Sequence, residues 1–381
     1  VAPHAFACKP CAIEDGALAI FGLTALSPWS LLELVSGLVL LIIGAEILVR
    51  AAVRLAASLK VRPLIIGLTV VAFGSSAPQM TVSLQATLAG NTDIAVGSVI
   101  GSSIFNILVT LGLSALIIPL RVSRQLVRVD IPVMILAGLL VFTLAANEEL
   151  TPVDGLLLLI ALLAYLGVLH YQTRHSRRPR TLDTVARAPW LSSVLQMLGG
   201  LLILVLAGHL LLGAAVDVAA DLGLSERIIG LTLIGVGTSL PCLATSLIAA
   251  LRGQRDIAVG NVIGSNLFNL LGVLGLTALL ASSPLSVSPN ALDFDLPVML
   301  GVVVLCLPVF YTGYRVTRAE GLVLLGLYLA YGLHVMSFTT GMPLANKLEQ
   351  LMLYYVLPVL VAFLLFSTLR AWRRQHKRES Q

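Results

Sequence analysis

The stretch Gly67-Leu68-Thr69-Val70-Val71-Ala72-Phe73-Gly74-Ser75-Ser76-Ala77-Pro78 returns as Gly230-Leu231-Thr232-Leu233-Ile234-Gly235-Val236-Gly237-Thr238-Ser239-Leu240-Pro241. The offset is 163 positions, with no gap. The same offset carries Asp93-Ile94-Ala95-Val96-Gly97 onto Asp256-Ile257-Ala258-Val259-Gly260. It also carries Gly101-Ser102-Ser103-Ile104-Phe105-Asn106 onto Gly264-Ser265-Asn266-Leu267-Phe268-Asn269. Roughly half of positions 67–116 match their partners. Apolar composition alone repeats Leu and Val; it does not repeat Gly, Ser, Pro, Asp and Asn in register. The chain is therefore a duplicated unit.

Composition says what kind of unit. Of 381 residues, 58% are hydrophobic and 11% charged, where a soluble domain carries charge on about a quarter of its residues. Such a chain must show lipid its outer surface, so the predicted class is an all-α polytopic membrane protein. A helix needs about 20 apolar residues to cross the hydrocarbon core. Eleven spans are expected, near 31–54, 62–88, 94–118, 127–146, 153–171, 192–217, 226–250, 257–280, 292–311, 320–337 and 349–370.

Basic residues test that count, because cytoplasmic loops collect Lys and Arg. They cluster at Arg50, Arg54, Lys60 and Arg62; at Arg121, Arg124 and Arg128; and between Arg174 and Arg187. Arg252 and Arg255, Arg315 and Arg318, and the tail from Arg370 follow. Every second loop is basic, which expects an N-terminus outside and a C-terminus in the cytoplasm. The net charge of +5 thus reads as topology and not as a nucleic-acid surface. An integral protein of the bacterial inner membrane is expected, with the lipid bilayer and small inorganic cations as partners.

On this count the two copies enter the bilayer from opposite sides. Residues 31–171 and 191–340 become two inverted five-helix repeats, joined by a basic cytoplasmic linker at 172–190. An extracytoplasmic segment at 1–30 precedes them, and an extra span with a basic tail at 341–381 follows. Inverted repeats meeting at the bilayer midplane are a common architecture of secondary transporters. Cys8 and Cys11 form a lone CxxC with no second pair to complete a metal site.

Pro78 and Pro241 each lack a backbone donor, and nearby glycines add freedom, so local unwinding is expected at Gly74–Pro78 and Gly237–Pro241. Freed carbonyls survive at that depth only when buried in protein or lining a cavity. With the hydroxyls of Ser75, Ser76, Thr238 and Ser239 they are hard oxygen ligands of the kind Na⁺ and Ca²⁺ accept. A kink capped by its own serines is the competing reading. Next to each motif runs a polar stripe at helical spacing, Ser98, Ser102 and Asn106 in one copy and Asn261, Ser265 and Asn269 in the other. The stripes either line a site or glue helices together, since Gly97, Gly101, Gly260 and Gly264 beside them permit close packing. Asp93 and Asp256 are expected as N-caps, and Asp217 and Asp221 as solvated. Glu46 and His209 occupy corresponding positions in the first helix of each copy. As ionisable groups within spans they are candidates for gating or proton linkage.

On these residues the chain resembles the cation/calcium exchanger superfamily, which includes sodium/calcium exchangers. The resemblance spans about 31–340 and rests on the paired G-[ST]-S-x-P motifs followed by GSxxFN. It implies a central site that faces each side of the membrane in turn. The implied ligands are Ser75, Ser76, Ser102 and Asn106, then Thr238, Ser239, Ser265 and Asn269, with carbonyls near Ala72 and Gly235. No cofactor is implied beyond the transported cations, Na⁺ and Ca²⁺.

One departure stands out. The family pattern places an acidic residue after each motif proline, where this chain has Gln79 and Cys242. Gln79 still offers an oxygen, whereas Cys242 offers a sulfur that Ca²⁺ disfavours. Specificity shifted toward monovalent cations, protons or a thiophilic metal is one consequence. A transport-inactive membrane sensor or scaffold is the alternative from another class. No nucleotide-binding loop or membrane-protease motif is present, so an enzyme is not expected.

Overall fold

The computed structural model describes residues 28–59, 61–175, 190–221, 234–311 and 313–340, with positions 347, 350, 351 and 354. The segment 1–27, most of the linker, Gly230–Leu233 of the second motif and nearly all of the expected eleventh span lie outside the described residues. So do the side chains of Asp217 and Asp221.

Lipid offers no hydrogen bonds, so a spanning chain must satisfy its backbone within each segment. Within the described residues it does so with ten helices. They are α1 (Pro28–Leu59), α2 (Pro63–Leu88), α3 (Thr92–Ile117), α4 (Leu126–Asn147) and α5 (Pro152–His175). After the linker come α6 (Trp190–Asp221), α7 (Ile234–Leu251), α8 (Arg255–Leu280), α9 (Ala291–Tyr311) and α10 (Arg318–Thr340). Eight of them, α1 to α6 with α8 and α9, are long and apolar enough to cross a membrane. The protein is an all-α polytopic membrane protein.

Two helices form the centre. In the apolar stretches of α8 and α3, 89% and 78% of residues are buried, against 33% in α1 and 28% in α5. The peripheral helices turn Leu, Val and Ile outward, as Leu38, Val39 and Ile42 on α1 and Leu198 and Leu202 on α6. Glycines let the central helices approach. A Cβ on Gly260 would lie 3.0 Å from the Leu64 carbonyl, and one on Gly264 only 2.6 Å from that of Leu68, so α8 lies directly on the backbone of α2.

The two copies are laced together by matching contacts. A Cβ on Gly155 of α5 would come within 2.7 Å of the Gly275 carbonyl on α8. One on Gly321 of α10 would come within 2.6 Å of the Gly112 carbonyl on α3. Short strands do the same at the ends of the helices. β1 (Leu120–Arg121) pairs with β4 (Arg315–Val316), and β2 (Glu149–Leu150) pairs with β3 (Leu285–Ser286), both antiparallel. Helices α5 and α10 each open on a capping box. The backbone N–H of Thr151 donates to Asp154 at 2.8 Å, and that of Thr317 donates to Glu320 at 2.8 Å.

Two expectations need correction. Helix α7 runs unbroken through Pro241, and α2 breaks at a single turn residue, Ser76 (φ −89°, ψ −5°). A proline frees one carbonyl, whereas an unwound turn would orphan several backbone groups in a water-poor interior, so the helix keeps turning. In α2 the helix restarts at Ala77 and Pro78 falls in its first turn, where the missing N–H costs nothing. Irregularity also occurs in wide π-turns at Gly67–Val71, Asn106–Leu111 and Phe268–Val273, and at Leu126–Asp130 and Ala291–Asp295 where α4 and α9 begin. Asp93 and Asp256 are not N-caps either. Asn91 and Gln254 hold those positions, and the two aspartates sit in the first turn, where they oppose the positive end of the helix dipole.

Candidate ion-binding site

The motif helices α2 and α7 meet the polar stripes of α3 and α8 in a buried cage. Gln79 is its hub on one side. Its Nε2 donates to Ser83 Oγ at 3.0 Å and to Ser98 Oγ at 2.8 Å. Its Oε1 accepts from Ser102 at 2.7 Å and from Thr238 at 2.5 Å. Thr238 belongs to the other copy, so this contact bridges the repeat. The corresponding position on the other side is Cys242. Asn261 Nδ2 donates to the Cys242 carbonyl at 3.2 Å and to Ser246 Oγ at 2.9 Å. The Cys242 thiol donates to Ser265 Oγ at 3.6 Å. Ser75 crosses from the first copy, its Oγ lying 2.9 Å from both Asn261 Oδ1 and Ser265 Oγ.

Each motif thus sends its first hydroxyl, Ser75 or Thr238, into the stripe of the opposite copy. The carbonyls behave as oxygen donors of the same cage. Gly235 O accepts from Ser102 at 3.1 Å and Ser239 at 2.9 Å, and Ala72 O accepts from Ser75 at 3.1 Å. Helical spacing explains the convergence, since residues 75 and 79 share a face of α2, as 98 and 102 share one of α3.

Twelve residues were candidates as ligands from the sequence, and the structure treats them unequally. Ala72, Ser75, Gln79, Ser102, Gly235, Thr238, Ser239, Cys242 and Ser265 belong to this hydrogen-bonded set. Ser76, Asn106 and Asn269 are buried, but Ser76 Oγ, Asn106 Oδ1 and Asn269 Oδ1 find no hydrogen-bond partner. Buried polar oxygens without a donor are where a cation or an ordered water is accommodated. Both asparagines lie in the π-turns of their helices, a distortion frequent at functional positions. Ser76 borders an apolar cleft of about 140 Å³ lined by Phe73, Met80, Leu162 and Phe268.

Glu46 and His209 are not part of the cage. Glu46 is ion-paired with Arg50 and Arg252, and His209 is exposed on α6. Sequence reasoning passed over Ser83, which accepts from Gln79 one turn away on α2, and Ser246 of α7, which accepts from Asn261 on the neighbouring α8. Their signal was available, since they too correspond at the offset of 163. It also passed over Asp130 and Asp295, which pair with Tyr165 at 3.1 Å and Tyr331 at 3.0 Å and tie the fourth helix of each copy to the fifth. Among the described residues no three His, Cys, Asp or Glu side chains are grouped to hold a metal. Among the described residues the cage presents hydroxyls, amides, carbonyls and one thiol, with no formal charge.

The chain is similar to known membrane transporters along most of its length. Residues 29–171 and 192–337 match the family described as sodium/calcium exchanger protein. The putative antiporter CaxA of Alkalimonas amylolytica is 38% identical over 304 residues, covering 77% of this chain and 95% of that protein. The sodium/calcium exchanger MaX1 of Methanosarcina acetivorans is 32% identical over 339 residues, covering 79% and 96%. Among solved structures, the sodium-calcium exchanger NCX_Mj superposes with a TM-score of 0.69 at 28% identity, covering 82% of this chain and 98% of that one. With the family matched across both copies and the polar cage lying where they meet, the chain belongs to the sodium/calcium exchanger family of membrane transporters.

Proposed function

We propose that the protein is a secondary cation antiporter of the bacterial inner membrane, working by alternating access around the cage, and that the cage holds monovalent cations, Na⁺ foremost, in preference to Ca²⁺. The observation that carries this reading is the neutrality of the cage. At a Ca²⁺–oxygen distance of about 2.4 Å and an effective dielectric near 20, one carboxylate contributes on the order of 14 kcal/mol of attraction to a divalent ion and half that to a monovalent one. Dehydration costs a divalent ion about four times as much, because the Born energy rises with the square of charge. Neutral dipoles in a buried cage can offset the smaller cost; without carboxylates they fall short of the larger.

The hydroxyls suit this role because each can rotate its proton away from an arriving ion. Ser75, Ser102, Thr238 and Ser265 would turn lone pairs inward, joined by Gln79 Oε1 and by the unpartnered oxygens of Ser76, Asn106 and Asn269. Exchange follows if the two copies alternately close over the site, as expected of inverted repeats.

Reconstituted vesicles test the reading. ²²Na⁺ exchange is expected in the natural protein and lost in Thr238→Val, while Na⁺-driven ⁴⁵Ca²⁺ uptake stays near that of empty vesicles. Strong Na⁺-driven ⁴⁵Ca²⁺ uptake would overturn the monovalent preference, and no flux of either ion would overturn antiport.

A further inference from the structure

Away from the cage, a cluster of charged side chains stands where the apolar run of α1 ends. Glu46 lies in the lipid-facing half of α1, its side chain 21% exposed. It accepts from Arg50 Nε and from Arg252 Nε, the latter at 3.1 Å. Two guanidiniums share one carboxylate, leaving an excess of one positive charge. Both are open to the surroundings, with 57% of the Arg50 side chain and 53% of the Arg252 side chain exposed. A guanidinium carries five donors, so each arginine keeps N–H groups that Glu46 does not use.

An apolar groove of about 450 Å³ runs from this cluster, inside the roughly 300–1,000 Å³ range of ligand clefts. Its walls are Ile42, Ile43 and Ile47 of α1 and Ile248 and Leu251 of α7. Ile42 and Ile43 are 50% and 45% exposed, so the groove opens outward to the acyl region. Arg50 ends the long apolar run of α1, and Arg252 follows the last residue of α7. Both therefore stand at the level where side chains meet lipid headgroups.

We propose that this groove is a binding site for an anionic phospholipid, one acyl chain lying along the isoleucines and the phosphate held by Arg50 and Arg252. The charges match, because a phosphodiester brings the single negative charge that the cluster lacks. Planar guanidiniums favour phosphate through paired N–H donors, and basic pockets between membrane helices recognise anionic headgroups. A zwitterionic lipid carries its own cation beside the phosphate and gains less. The position gives the site a consequence. Arg252 directly follows the helix that carries Thr238, Ser239 and Cys242, so a bound lipid clamps α1 onto a helix of the cage.

Native mass spectrometry of the detergent-purified protein, titrated with phosphatidylglycerol and with phosphatidylcholine, reads this directly. The natural protein should retain phosphatidylglycerol about tenfold more tightly, and Arg50→Gln with Arg252→Gln should bring it to the phosphatidylcholine level. A double variant that binds phosphatidylglycerol like the natural protein overturns the proposal. So does displacement of the lipid by glycerol phosphate at equal concentration, which would make this a site for free phosphate. Glu46→Gln decides the matter even if the double variant does not fold. Releasing both guanidiniums should tighten phosphatidylglycerol binding, and unchanged or weaker binding rejects the site.

Discussion

Gly101 and Gly264 are the same residue of the repeat, yet they should respond oppositely to alanine. A Cβ on Gly264 would stand 2.6 Å from the Leu68 carbonyl and 2.6 Å from Ala72 Cβ. That is about 0.7 Å short of the closest ordinary C···O approach of roughly 3.3 Å. Neither neighbour can swing aside, one being backbone and the other a methyl on the backbone, so α8 and α2 must separate. A separation of 0.7 Å lengthens the contacts of Ser75 with Asn261 and Ser265 from 2.9 Å to about 3.6 Å, outside hydrogen-bonding range. Overpacking costs about 1–3 kcal/mol and each lost hydrogen bond about 0.5–1.5 kcal/mol. Gly264→Ala should therefore destabilise the protein by about 2–6 kcal/mol. At Gly101 a Cβ meets nothing within 4 Å, and Gly101→Ala should change stability by less than about 0.5 kcal/mol. Thermal unfolding in detergent, with Na⁺ affinity measured on the same samples, separates the two. Equal losses in both variants would refute the reasoning, because they would mean the copies pack alike.

Other substitutions probe other parts of the argument. Gln79→Glu with Cys242→Glu should raise Ca²⁺ affinity in a binding titration, and an unchanged value would remove both positions from the site. Thr238→Val takes one of the two hydroxyl donors from Gln79 Oε1 and should cost about 1–2 kcal/mol in unfolding free energy. Tyr165→Phe leaves the fully buried Asp130 without its partner and should destabilise by about 1–3 kcal/mol. Tyr331→Phe should cost less by the same unfolding assay, because Asp295 keeps Asn290 at 3.4 Å. Gly155→Ala and Gly321→Ala each drive a Cβ against a carbonyl of the opposite copy, and both should lower the unfolding temperature.

Much of this protein is written in its linear order. Apolar runs long enough to cross a bilayer, and a repeat matched in Gly, Ser, Pro, Asp and Asn, determine a duplicated helical membrane protein. Hydrophobicity and length alone decide what a chain does in lipid. The same order names most of the cage, because polar residues at a spacing of four must share a helix face, and such a face must turn away from lipid. It also places Gln79 and Cys242, neither of them acidic, directly after the two motif prolines. Periodicity says which face of a helix is polar but not which helix meets it. That Ser75 reaches Asn261, 186 positions away, and Thr238 reaches Gln79, 159 positions away, is decided only by packing. So is the unbroken course of α7 through Pro241, since the surrounding helices make a continuous turn cheaper than an unwound one. Packing also sets Glu46 against Arg252 and makes equivalent glycines unequal, because each interface is set by two surfaces and the sequence of a repeat describes only one.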